Sequence, residues 1–319
     1  MNTLVGNDIA IAASFLRKGE VVAIPTETVY GLAANALNAQ AALKIFEAKQ
    51  RPAFDPLIVH ISGPEMLTEY AAFVPPVAMA LAKEFWPGPL TIVLPKKEII
   101  PDVISSGLPT VGLRCPAHPV ALELLRSLDF PLAAPSANPF GYISPTTARH
   151  VNDQLNGRIP YILDGGPCKI GVESTIVGVE PEGVFVYRVG GLTLEDIRKV
   201  VPDIQLKINS SSNPQAPGML ASHYAPRKKL FLGKISHLLN THAGCKCGVL
   251  WFSKPAVMDG SIVAEEVLSV NGDLFEAAAG LFAAMRRLDS SDATIILAEE
   301  VPDHSIGRAI NDRLRRAAG

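Results

Sequence analysis

Five short segments of this chain combine hydroxyls, cations and glycines in patterns that suit an anionic ligand. The densest is Pro25-Thr26-Glu27-Thr28-Val29-Tyr30-Gly31-Leu32, set where an apolar run has just ended. Hydroxyls, a carboxylate and a glycine at the carboxyl end of a strand suit a ligand-binding turn in an α/β sheet; the same residues also make an ordinary polar turn with an N-cap. Next comes Lys49-Gln50-Arg51, followed by Asp55-Pro56 and an apolar run holding His60. Two cations one residue apart can converge on a phosphate chain if the backbone between them is extended, Arg as a planar fork and Lys as a mobile point charge. A solvated basic helix end is the plain alternative, and His60 also reads as a satisfied core histidine. Arg114 ends the run that starts at Thr110, a placement suited to a carboxylate, while Ser136 and Asn138 in "APSANPFGYISPTT" suit ribose or phosphate oxygens. Asp164-Gly165-Gly166 and Glu173-Ser174-Thr175 add a glycine-rich turn and a strand that opens with hydroxyls. Each alone is a turn or a strand edge, but one cleft could collect all of them.

The elements needed to position these residues follow from periodicity. A helix is predicted from Asp8 to Gly19, with Asp8 as N-cap and Gly19 as stop. A strand at 21–24, a helix at 39–48, a strand at 57–61, helices near 65–72 and 77–85 and a strand at 90–94 come next. Beyond them lie strand 110–114, helix 118–128, strand 132–134, a helix opened by Ser144-Pro145, strands at 161–163, 174–179 and 184–189, helix 194–200 and strand 204–208. Adjacent late strands point to a mixed sheet rather than a pure βαβ array. Residues 209–229 carry Ser, Pro and Gly with almost no periodicity and read as a linker. After it the α/β pattern resumes, with strands at 249–252 and 294–297, a long helix at 274–288 and a basic terminal helix holding Arg313, Arg315 and Arg316. The expected organisation is an α/β domain over 1–208, a linker over 209–229 and a small α/β domain over 230–319.

At 319 residues with 48% hydrophobic and 19% charged content, the chain can bury large cores and is not disordered. The net charge of −2 argues against coating nucleic acid or an anionic membrane by bulk charge. No apolar run reaches membrane-span length, and no secretory signal is visible, so a cytoplasmic address is expected. Four scattered cysteines read as reduced thiols. His242 with Cys245 and Cys247 lacks a fourth ligand and the usual spacing of a metal site, and none is expected.

Taken together and in order, "PTETVYGL", Lys49-x-Arg51 with "PLIVHI", "FWPGPLTIVL", "VGLRCP", "PSAN" with "SPTT", "DGG" and "ESTIV" resemble the YrdC family, the L-threonylcarbamoyl-AMP synthases of tRNA modification. The match runs from Val5 to about Ile208. The remaining third, with "PGMLASHYAP", looks like the two-domain form of that enzyme, in which a small Rossmann-like domain, here 230–319, follows the catalytic one, here 1–208.

The resemblance implies a YrdC-like twisted mixed sheet with flanking helices, and synthesis of threonylcarbamoyl-AMP and pyrophosphate from L-threonine, bicarbonate or CO2, and ATP. The product would pass to a downstream tRNA-modifying transferase complex acting on adenosine 37. Thr28, His60, Arg114, Ser136 and Ser174 would hold threonine or its carbamate. Lys49, Arg51, Asp55, Thr110, Asn138, Thr146, Arg188 and Tyr224 would hold ATP, with Lys49 and Arg51 acting in catalysis and Mg2+ riding on the phosphates. Asp55 departs from the family's common Asn or His, and a carboxylate there repels a triphosphate unless it reaches the metal. Tyr224, between Pro217 and Pro226, would cover the nucleotide as part of a solvent-excluding lid. Direct tRNA contact by the arginine helix stands beside a solvated helix end. Rival readings are an RNA-binding protein using the same fold's concave face, and a carbamoyltransferase, because a related domain occurs in hydrogenase-maturation enzymes.

Overall fold

The computed structural model describes residues 2–52, 55–207, 223–255 and 259–319. Its first helix, Ile9–Arg17, begins where the Asp8 side chain accepts from the amides of Ala10 and Ile11, so the expected cap satisfies two orphan donors. Among the described residues, eleven strands form one mixed sheet. Their order is Leu4–Gly6, Tyr161–Leu163, Val22–Ile24, Gly31–Asn35, Leu132–Ala133, Ile58–His60, Thr110–Arg114, Leu90–Pro95, Thr175–Glu180, Gly183–Arg188 and Gln205–Leu206. Ile58–His60 runs parallel to Thr110–Arg114, with His60 beside Arg114, but antiparallel to Leu132–Ala133. The helices Ile9–Arg17 and Pro119–Ser127 pack against each other.

Three local expectations are corrected. Gly31–Asn35 is a strand, antiparallel to Val22–Ile24 with Ile24 opposite Gly31, so "PTETVY" joins two antiparallel strands instead of a strand and a helix. Its small residues suit the site: a Cβ on Gly31 would meet that of Ala134 at 3.2 Å. The helix expected at Ser144-Pro145 begins at Ala148, capped by Thr147, whose hydroxyl accepts from the His150 amide. Ser144 cannot cap because its hydroxyl donates to Glu173 at 2.6 Å. Finally, Lys49 ends helix Ala39–Lys49, and Gln50 then takes a left-handed φ of 54°, so the backbone between the two cations is a helix cap and not extended.

A second sheet of four parallel strands follows, in the order Lys229–Leu232, Ile295–Ala298, Cys247–Trp251, Ile262–Val267. Helix Ile235–Thr241 and the long helix Leu274–Ser290 make its crossovers, as parallel pairing requires. The strands at 229–232 and 262–267 were not expected, since Lys229 falls in the polar linker and Ile262–Val267 alternates with Glu265 and Glu266 on an edge. Of the expected linker, residues 209–222 lie outside the described residues.

The two units share a core. One buried cluster contains Leu32, Ile45, Val59 and Leu113 of the large-sheet unit together with Leu281, Phe282, Ile310 and Leu314 of the other. At the junction a Cβ on Gly171, whose φ is +79°, would lie 2.3 Å from the Ala278 carbonyl, so only glycine lets the long helix come this close. No helix among the described residues is long and apolar enough to cross a membrane.

Candidate active site

A cleft of about 50 Å3 lies over one face of the large sheet. Side chains alternate along a strand, so Ile58 and His60 point to the same face, and the register puts Gly112 and Arg114 beside them. The cleft therefore sits on a sheet face, not at a row of carboxyl ends. In a mixed sheet the antiparallel neighbours reverse strand polarity, which leaves no single carboxyl edge.

Seven of the expected site residues line this cleft: Arg51, His60, Arg114, Ser136, Ser174, Arg188 and Tyr224. Glu173 and His223 join them. Each guanidinium is already oriented. Arg51 Nη2 lies 2.7 Å from Asp55 Oδ2 and donates to the Pro56 carbonyl, while its Nε donates to the Asp55 carbonyl. Arg114 Nη2 donates to Glu27 Oε1 at 2.7 Å and to the Thr28 hydroxyl at 2.9 Å, and its buried Nε has no hydrogen-bond partner among the described residues. Arg188 donates through Nε and Nη2 to the Ser174 carbonyl, and Nη2 also reaches the Ser174 hydroxyl at 3.2 Å. Burying a charge is tolerable only with such partners.

His60 is buried, and burial followed by the charge of Arg114 pushes its pKa down to about 3. It is a neutral imidazole at physiological pH, with Nδ1 unpartnered among the described residues. Burial and the nearby Arg51 also hold the Lys49 ammonium well below its usual range. Its Nζ donates to the carbonyls of Ser136 and Asn138, both at 2.5 Å. Lys49 thus stands behind the wall that Ser136 forms.

Thr28, Asp55 and Asn138 belong to the same supporting layer. Thr28 orients Arg114, Asp55 orients Arg51, and the Asn138 amide donates to the carbonyls of Pro139 and Tyr142. Thr146 is buried beside His150, and its carbonyl accepts from the Cys168 amide. Thr110 is not brought to the cleft. It begins the strand that Arg114 ends, and four extended steps of about 3.3 Å put the two at opposite edges of the sheet. "DGG" likewise lies outside the cleft lining, with Asp164 exposed: Tyr30 donates to the Gly166 carbonyl at 2.8 Å, and a Cβ on Gly165 would meet Pro25 at 2.6 Å.

Tyr224 is buried with a left-handed φ of 66°, costly for a bulky residue unless its surroundings hold it. Its ring stacks on Phe282 at 5.6 Å, meets the His223 ring edge-on at 4.2 Å and lies under Arg313, with the Ala225 amide tied to the Gly141 carbonyl. The expectation of a solvated arginine helix is overturned here. Arg313 is wholly buried and donates to Glu173 at 2.8 Å, and Arg316 is buried against Asp312; of the three arginines only Arg315 is exposed. The same burial removes Arg313 and Arg316 from any contact with tRNA. A helical phase of Ile306, Ala309, Ile310, Arg313, Leu314 and Ala317 is the signal that could have placed Arg313 inward.

Glu27 and Glu173 stand in the quoted motifs without a role of their own, because nothing in sequence distinguishes a cleft carboxylate from a turn residue, and His223 stands beside Tyr224 in the segment expected to cover the nucleotide. His242 packs its ring 4.0 Å from that of Phe231, and the four cysteines are free. Among the described residues no three His, Cys, Asp or Glu side chains gather to hold a metal.

Comparison with known proteins places this geometry. The Sua5/YciO/YrdC family model, described as telomere recombination, matches residues 14–190, and a threonylcarbamoyl-AMP synthase C-terminal domain model matches 192–319. The threonylcarbamoyl-AMP synthase of Pyrococcus abyssi is 44% identical over 98% of this chain and 94% of its own length, and that of Bacillus subtilis 44% over 98% and 93%. The crystal structure of P. abyssi Sua5 complexed with L-threonine superposes with a TM-score of 0.90 at 43% identity, covering 99% of this chain and 98% of that one. Matched along both of its units and in its whole fold, the chain belongs to the two-domain threonylcarbamoyl-AMP synthase family.

Proposed function

We propose that the enzyme makes L-threonylcarbamoyl-AMP from L-threonine, bicarbonate or CO2, and ATP, with release of pyrophosphate. The observation that carries this reading is the convergence of Arg51, Arg114 and Arg188 on one cleft that also presents neutral His60 and the hydroxyls of Ser136 and Ser174. The threonine amine adds to CO2 and loses a proton, giving a carbamate. A carbamate oxygen then forms a bond to the α-phosphorus as the bond to pyrophosphate breaks. An anionic nucleophile needs alignment and charge neutralisation more than a base, and prealigned guanidinium groups supply both.

The Nε donor of Arg114, without a partner among the described residues, suits the threonine carboxylate, in keeping with the L-threonine complex of the P. abyssi relative. Arg51 and Arg188 suit the phosphates, with Lys49 and Asn138 holding the wall behind them. Mg2+ would arrive on the triphosphate. Glu173 is the cleft-lining carboxylate, and both its oxygens are engaged by Ser144 and Arg313, so the ion would keep water and phosphate ligands, as Mg2+ commonly does. The volume of about 50 Å3 is below the ~300 Å3 of small ligand sites, so the cleft widens to admit ATP. A solvent-excluding wall has a task, since carbamate and mixed anhydride both decompose in water. The product would pass to a tRNA-modifying transferase complex for adenosine 37, in the cytoplasm, where free thiols persist.

The test is pyrophosphate release from ATP by the full chain. Release that requires both threonine and bicarbonate supports the proposal, and release indifferent to threonine overturns it.

A further inference from the structure

Arg313 belongs to the terminal helix Gly307–Ala318, yet it reaches beyond its own unit. Nε donates to Glu173 Oε2 at 2.8 Å and Nη1 to the Val189 carbonyl at 3.1 Å, while the guanidinium carbon sits 5.1 Å over the Tyr224 ring. Glu173 and Tyr224 both face the cleft. A single side chain of the C-terminal unit thus grips two cleft walls that are far apart in sequence. The grip is itself anchored. Asp312 accepts from Arg313 at 2.5 Å and from Arg316 at 2.9 Å, and the Arg316 carbonyl takes the His223 amide at 3.2 Å.

A pair serving stability alone could join any two buried positions. This one is aimed at the cleft, and it holds a tyrosine whose left-handed backbone needs external support. In-line attack depends on how the cleft walls align the reacting groups, and Arg313 ties two of those walls together. We infer that Arg313 is a positioning residue for the synthase reaction, fixing the Glu173 carboxylate and the Tyr224 ring from the C-terminal unit. The inference rests on the activity proposed above. A wild-type chain that fails the pyrophosphate assay breaks that reading, whereas Arg313 is judged only relative to an active wild type.

The experiment compares full-length wild type with Arg313→Lys, Arg313→Met, Glu173→Gln and the double variant Arg313→Met/Glu173→Gln. It measures pyrophosphate release against threonine and ATP, together with Tm. Lysine keeps the charge but cannot reach Glu173, Val189 and the ring at once. A folded Arg313→Lys should lose at least about tenfold in kcat, with threonine KM within about twofold of wild type. If Arg313 acts through Glu173, the double variant should be no slower than the worse single variant, because residues of one network do not add. Arg313→Met leaves a buried carboxylate uncompensated and can fail to fold; the double variant removes both charges, and its kcat then decides the question. Wild-type kcat in the folded variants, a change confined to KM, or losses that multiply in the double variant would each overturn the inference.

Discussion

The two units of this enzyme bury arginine in opposite ways. In the large-sheet unit Arg51, Arg114 and Arg188 are held by groups of their own unit, namely Asp55, Glu27 with Thr28, and the Ser174 carbonyl, and they face a cleft. In the C-terminal unit Arg286 and Arg313 turn away from their own sheet. Arg286 donates to the Ile143 and Ser144 carbonyls and to Gln154, and Arg313 to Glu173 and Val189. The first set is arranged to meet a ligand, and the second to fix the segments around it. Cation count therefore says little about where substrate binds; the partner of each buried guanidinium says more.

The sharpest break of this comparison is at Arg114. Its Nη2 is committed to Glu27 and Thr28, which leaves the Nε and Nη1 donors for a ligand, and a lysine cannot serve both sides. Removing one partner of a desolvated charge pair costs about 2–5 kcal/mol. Arg114→Lys should raise the threonine KM at least about tenfold while moving the ATP KM by less than about threefold. A threonine KM within about twofold of wild type would falsify the division of labour among the cleft arginines.

A second test uses pH and compares a histidine of the cleft floor with one at the junction. His60 has its pKa pushed down to about 3, and burial with the surrounding arginines and Lys49 holds His223 well below its usual range. Unfolded, each takes up a proton near pH 6.5; folded, each stays neutral. Stability is therefore undiminished above about pH 6.5 and falls as pH drops below it, by up to about 1.4 kcal/mol per pH unit for each histidine. For His60 the loss continues until about pH 3. Denaturant unfolding of wild type and of His60→Gln between pH 6.5 and 5 isolates one proton's share, and the variant's slope should be shallower by about that amount. Identical slopes would mean that His60 protonates in the folded chain. The same comparison with His223→Gln asks whether the junction stays closed in solution, since an open junction would return that histidine to water and erase its share.

How legible this was in sequence differs from residue to residue, for physical reasons. Arg114, Ser136 and Ser174 lie at the ends of short apolar runs, which punctuation by Pro and Gly marks well, whereas the position of His60 also suits a core histidine and only the family resemblance made it a candidate. Gly31–Asn35 escaped because Gly-Leu-Ala-Ala-Asn has no β-branched residue, and small side chains were selected there by the approach of Ala134. Lys49 and Arg51 are brought near each other by a left-handed Gln50 that no local signal announces, with only Arg51 lining the cleft. Thr110 falls outside the cleft lining because a motif names a whole strand while its length carries the two ends to opposite edges. Arg313 was hidden by its neighbours: a run of terminal arginines suggests solvent, and only the helical phase shows that one of them faces inward.

The smallest effect is expected two residues from the proposed positioning residue. Arg315 shares the helix and the charge of Arg313, but its side chain is 54% exposed and pairs with Glu300, itself 45% exposed, at 2.7 Å. Pairs of this kind contribute about 0–1 kcal/mol, since water screens the attraction and both long side chains lose rotamer freedom. Arg315→Met should leave kcat and both KM values within about twofold of wild type and lower Tm by at most a few degrees, an effect that shrinks further in high salt. Arg313→Lys, which retains the charge, should do far more. If Arg315→Met cost as much activity as Arg313→Lys, the terminal helix would be acting through its overall positive charge. The contrast between inward and outward arginines, and with it the claim that the C-terminal unit supports the cleft through specific contacts, would then fail.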